Sequence, residues 1–70
     1  MNKSTKSKED LLIEYIKEDN ISNVAKLLST HSNINVNYTD ENDWTALIYA
    51  SINGHFKCVE LLLKHPNINV

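Results

Sequence analysis

Arginine is absent, and cysteine, glycine, proline and tryptophan occur once each in the 70 residues. With one cysteine there can be no internal disulfide framework to staple so short a chain. With one glycine there is no room for the glycine-rich loops that cradle nucleotide phosphates. The lack of arginine removes the side chain best suited to bidentate phosphate or guanine contacts. No apolar run approaches the ~20 residues that span a bilayer, and no signal-peptide core follows residues 1–8. The default placement is therefore intracellular, in the cytoplasm, with no membrane role.

What is present is close to the globular average: 41% hydrophobic, 23% charged and 7% aromatic residues. That excludes a wholly disordered chain or a coiled-coil rod. The net charge is −2, unevenly placed. Lys3, Lys6 and Lys8 stand in a head without acids, leaving four lysines against nine acids, or −5, in the remainder. A body of that sign repels phosphate backbones, so nucleic acid is not the expected partner. Residues 1–8 are expected to be a disordered polar head.

Self-comparison at a fixed offset is the most informative test. Shifting the chain by 34 lays residues 15–36 over 49–70, with eight of 22 positions identical and no gap. The clustered identities read LL-x-x-H-x-N-I-N-V. Each copy has the same order of elements. Ser7 followed by Asp10 is a helix start, because the hydroxyl can accept from an orphaned backbone N–H. Leu11, Leu12, Tyr15 and Ile16 follow at helical spacing, and Asp19-Asn20 breaks that helix. Ile21, Val24, Ala25, Leu27 and Leu28 mark a second helix. From His31 to Asp43 the chain is polar, with Ile34 and Val36 alternating against asparagines, which suits an extended arm and a turn. In the second copy Thr45 caps a helix expected over Ala46–Asn53, with Leu47, Tyr49 and Ala50 inward. Gly54 ends it, and Cys58, Val59, Leu62 and Leu63 form the last helix before Pro66.

The stretch WTALIYASINGHFKCVELLLKHPNINV resembles the ankyrin repeat, whose pattern is D-x-x-G-x-T-P-L-H-x-A-A-x-x-G-H-x-x-(I/V)-V-x-x-L-L. Asp40, Thr45, Leu47, Ala50, Gly54, His55, Val59, Leu62 and Leu63 stand at matching positions. Residues ~9–36 are similar to the divergent first repeat that caps such arrays. The resemblance implies an all-α, ankyrin-type helix-turn-helix solenoid: about two stacked helix pairs joined by an extended arm and β-turn. It divides the chain into head 1–8, divergent repeat 9–36 and repeat 37–70. Three positions depart from the pattern: Asp43 replaces the turn glycine, Ala46 the first helical proline, and Ile48 the histidine. Because stacked repeats bury a face against the next, the C-terminal face is expected to be uncapped and open to self-association.

The resemblance also implies a non-enzymatic role, binding another protein through arm tips and inner helices. By position, Glu41, Asn42 and Trp44 lie at the arm tip, and Ile52 and Asn53 at the end of the inner helix. Trp44 is either an interface anchor or packing for the preceding loop near Tyr38. The rival is a fragment or capping unit of a longer array with no binding function of its own. No catalytic, cofactor-binding or metal-ligating residue is assigned. His55 and Cys58 are three apart but lack a second ligand pair at zinc spacing. Asp40, Asn42 and Asp43 hint at a calcium loop, yet Trp44 stands where the next oxygen ligand belongs. Cys58 reads as a buried structural thiol. The N-x-S/T triplets at Asn2, Asn20 and Asn37 are near chance frequency.

Overall fold

Four helices follow one another in the computed structural model, which describes residues 6–68: α1 (Lys8–Lys17), α2 (Ile21–Thr30), α3 (Ala46–Ile52) and α4 (Phe56–Leu63). No strand occurs among the described residues. Residues 1–5 of the expected head, and residues 69–70 at the other end, lie outside them. The repeat is nonetheless plain in space. α1 packs on α2 and α3 packs on α4, and the two pairs stack through α1 on α3 and α2 on α4. This is an all-helical helix-turn-helix solenoid. α1 and α3 form its inner layer.

The caps explain where each helix begins and ends. Ser7 Oγ accepts from the Asp10 N–H at 3.1 Å, so α1 already opens at Lys8. At its far end Asp19 takes a left-handed φ of 56°. The Asp19 N–H reaches the Ile16 carbonyl at 3.0 Å, and the Asn20 N–H reaches Tyr15 at 2.9 Å. These two bonds satisfy carbonyls that the helix end would otherwise orphan. α3 closes the same way: Gly54 has φ 68°, and the His55 N–H donates to the Ala50 carbonyl at 2.9 Å. Its helix ends at Ile52, with the expected last residue Asn53 as the cap. The left-handed residues, Asp19 and Gly54, are 35 apart rather than 34, so the first turn comes one residue early. Asp tolerates that conformation better than most side chains.

Thr45 Oγ1 accepts from the Ile48 N–H at 3.2 Å, so the cap survives without the motif's histidine. Asp43, in place of the turn glycine, adopts φ 63° as its position requires. α4 starts at Phe56, preceded by His55 without a side-chain cap, and ends at Leu63, ahead of Pro66.

The core runs through both pairs. Leu12, Ile16, Val24, Ala50, Cys58 and Leu62 are almost fully buried. Ile34 and Val36 join them from the arm, as their alternation predicts. The helix faces differ in detail from the expected ones. Ile13 is buried, whereas Leu11 and Tyr15 are only partly so. Ile21 and Leu63 are exposed, because each lies on the side of its helix turned from the stack.

Candidate functional site

Where the inner layer meets the loop before α3, the surface folds into a groove of about 330 Å³. Asp10, Ile13, Glu14 and Lys17 line it from α1, and Asp40 and Glu41 from the loop, with Lys6 at the mouth. Helical spacing places Asp10, Glu14 and Lys17 on one side of α1. Carboxylates outnumber lysines there by four to two.

The loop holds its shape through Asp40. Its backbone N–H donates to the Trp44 carbonyl at 3.1 Å and its carbonyl accepts from the Asp43 N–H at 2.9 Å, closing a tight turn. Its carboxylate accepts from the backbone N–H groups of Asn42 (2.9 Å) and Trp44 (3.2 Å), and from the Tyr49 hydroxyl. The Tyr49 hydrogen bond chiefly, then the two amides, keep the Asp40 carboxyl below its ordinary range. Tyr49 thus ties the loop to α3. Its ring also carries Trp44 on it, centroids 5.0 Å apart at 53°, and the Lys17 ammonium 5.0 Å from its centre.

The arm is joined to α1 in a similar way. Tyr38 donates to Asp10 at 2.9 Å, and the Asn35 N–H donates to Glu9 at 3.1 Å. Those bonds lead the causes that lower the Asp10 and Glu9 carboxyls, and Asp10 in turn raises the Tyr38 phenol. Carboxyls lowered on folding stabilise the protein above their unfolded values, and the benefit fades as pH falls through the folded ones. The melting temperature should therefore hold from neutral to about pH 5 and drop below about pH 4. Tyr38→Phe should flatten that drop, and a melting temperature constant to about pH 2 would contradict the linkage.

Of the five residues expected to bind, Glu41, Asn42 and Trp44 come together at this loop. Glu41 lines the groove. The Asn42 side chain reaches the Tyr49 hydroxyl at 3.5 Å. Trp44 packs on Tyr49 of its own unit, and 37% of it remains exposed. Ile52 and Asn53 stand elsewhere, at the far end of α3, about 10 Å along the helix. The tie among Tyr49, Asp40 and Lys17 was not anticipated. The shared Tyr15/Tyr49 position pointed toward it, but helical spacing alone reads Tyr49 as bulk.

The remaining titratable groups lie apart. The Cys58 thiol is buried, pushed up to about 11 by that burial and by Asp19, whose carboxylate it faces at 3.6 Å. It is protonated at neutral pH. His55 Nδ1 lies 3.8 Å from Asp19. Among the described residues His31 bonds to Thr30 and the Leu27 carbonyl, and His65 to the Asn67 N–H. Among the described residues no group of three His, Cys, Asp or Glu side chains could hold a metal ion. No described helix is long and apolar enough to cross a membrane.

Comparison with known proteins places this geometry. A family model described as ankyrin repeats (3 copies) matches residues 1–70. The chain is 47% identical over 47 residues to proteins named NAD-capped RNA hydrolase NUDT12 in Homo sapiens, Pongo abelii and Macaca fascicularis. That match covers 67% of this chain and spans only 10% of each relative's length. No solved structure gives a significant match.

Proposed function

The chain belongs to the ankyrin-repeat family, whose units are non-catalytic and generally bind other proteins, and from that premise we propose that it binds a protein partner through the groove and loop built on Asp40. The observation carrying this reading is Trp44: large, 37% exposed, and held in place by Tyr49 beside the groove. A preformed aromatic loses little freedom on binding, which is why tryptophan dominates many interfaces. Glu41 and Asn42 supply polar contacts at the same edge. The excess of carboxylates disfavours a phosphate backbone as the ligand.

We read the chain as non-enzymatic. The hydrolase activity in the relatives' name belongs to proteins of which this chain matches a tenth. The one thiol, Cys58, is buried and stays protonated, so it offers no activated nucleophile. Ile52 and Asn53 fit a second contact point at the other end of α3, reached by a partner lying along the inner layer.

Trp44→Ala should abolish most partner capture while shifting the melting temperature by only a few degrees, and Glu41→Lys should weaken capture without any shift. Paired melts and quantitative affinity capture with parent and variant check this. Equal loss of folding and capture for Trp44→Ala would assign the residue to the core instead. Trp44 is also the sole tryptophan, so its emission should move to shorter wavelength when a captured partner is added back.

A further inference from the structure

One asparagine in this chain stands in a different chemical setting from the others. Of the ten, six precede isoleucine or valine, and three precede lysine, tyrosine or aspartate. Asn53 alone precedes the single glycine. Attack by the next residue's backbone nitrogen on an asparagine side-chain amide is held back by bulk on that residue, and glycine has no Cβ. The fold adds three features. Asn53 and Gly54 are both exposed, at the turn between α3 and α4. The Asn53 side-chain amide has no hydrogen-bond partner among the described residues. Beyond the chain neighbours, no atom lies within 4 Å of where a Cβ on Gly54 would stand, so a ring has space to close there. Asn42 differs on each count. Its side chain reaches the Tyr49 hydroxyl at 3.5 Å, and the following N–H, that of Asp43, is held by the Asp40 carbonyl at 2.9 Å.

We propose that Asn53 is a self-modification site, deamidating through a succinimide formed with Gly54. The Gly54 nitrogen gives up its proton to hydroxide and bonds to Asn53 Cγ. The bond from Cγ to the side-chain nitrogen breaks, and that nitrogen leaves as ammonia with a proton from water. Water then opens the ring at either carbonyl. Attack at Cγ leaves aspartate; attack at the backbone carbonyl leaves isoaspartate, joined to Gly54 through its side-chain carbon. Ammonia is exchanged for water overall, nothing is oxidised, and no enzyme is needed.

The native backbone restrains the step. Asn53 has ψ 0°, which sets the Gly54 nitrogen over the residue's own backbone nitrogen rather than toward its side chain. Ring closure needs that torsion to turn. Turning it breaks the bonds from the Gly54 N–H to the Ser51 carbonyl (3.3 Å) and from the His55 N–H to the Ala50 carbonyl (2.9 Å). Conversion therefore runs through local opening of this turn. Both products weaken the turn they leave. Each adds a carboxylate at the C-terminal end of α3, where the carbonyls already carry partial negative charge. Isoaspartate also lengthens the backbone by one carbon ahead of Gly54. That displaces His55 from the Ala50 carbonyl and from Asp19, which lies 3.8 Å from its ring in the α1–α2 turn. The modification involves no partner, so it stands or falls apart from the groove reading.

The test is peptide mapping by mass spectrometry of the 70-residue chain, held for weeks at neutral pH and body temperature, native and in urea. Electron-transfer fragmentation tells isoaspartate from aspartate. Asn53 should be the first asparagine lost in the native chain, more slowly than in urea, at a rate proportional to hydroxide and with isoaspartate the larger product. Asn53→Gln should abolish the loss, since the longer side chain closes its ring far less readily, while the helical signal stays that of the parent. Leu62→Ala, which loosens the stack, should speed conversion of Asn53 toward the rate in urea. The isoaspartyl fraction, separated by chromatography, should melt below Asn53→Asp, which carries the charge without the added backbone carbon. Another asparagine lost first, or an Asn53 that persists natively while the urea sample converts, overturns the proposal. Equal rates in the native chain and in urea overturn the restraint by the turn. An isoaspartyl fraction that melts together with N53D overturns the account of the lengthened backbone.

Discussion

Leu62→Ala is expected to remove most of the chain's stability. The side chain is completely buried where α4 meets the rest of the core. Truncating a buried leucine costs about 2–5 kcal/mol, the lost transfer energy plus the cavity left behind. A chain of this length holds roughly 3.5–10 kcal/mol at ~0.05–0.15 kcal/mol per residue. The melting temperature should therefore fall by about 10 °C or more, and much of the sample should be unfolded at body temperature. Leu63→Ala is the control. Leu63 is the adjacent residue, 48% exposed, and its truncation should cost under about 1 kcal/mol. A thermal melt followed by circular dichroism separates the two. Equal losses would mean that α4 is rotated from the orientation described here.

The second large effect is expected at Tyr49. It is 7% exposed and supports Trp44, Lys17 and the Asp40 carboxylate at once. Tyr49→Ala should cost about 3–5 kcal/mol, as for other buried aromatics, and should leave the Trp44 ring without its platform. Tyr49→Phe is the more informative variant, since it keeps the ring and removes only the hydroxyl. Packing should survive and Trp44 should stay in place. The Asp40 carboxyl should then titrate nearer the ordinary carboxylate range, and the Asn42 and Trp44 amides should exchange with solvent faster. NMR titration of the Asp40 carboxyl carbon and amide exchange in the loop measure both. An Asp40 titration unchanged by Tyr49→Phe would remove the hydroxyl from the account of the loop.

The two substitutions touch different parts of one design. Leu62 belongs to the repeating core, where a deletion is felt by the entire stack because so short a chain has little stability in reserve. Tyr49 belongs to the junction between that core and the Asp40 loop. Losing its hydroxyl alters the loop's electrostatics with the stack intact. A partner should therefore tolerate Tyr49→Phe less well than the melting temperature suggests.

Much of the fold was legible along the chain, since it rests on short-range chemistry. Ser7, Thr45 and Gly54 stand at helix ends because a hydroxyl can accept a nearby N–H and glycine enters left-handed backbone freely. The alternation of Ile34 and Val36 with asparagine prescribed an arm buried on one side. The 34-residue self-similarity required two like units, and two helix pairs that cannot persist alone must stack. Tertiary structure decided which residues met. Helical periodicity is blind to rotations of a few tens of degrees, so it grouped Ile21 and Leu63 with the core and left Ile13 out. Packing of each pair on its neighbour resolved those rotations. Spacing along the chain could place Glu41, Asn42 and Trp44 on one loop, but not Trp44 on Tyr49 or Tyr49 against Asp40 and Lys17. Those contacts exist because stacking α3 on α1 brings an aromatic ring, a carboxylate and an ammonium from three parts of the chain to one edge.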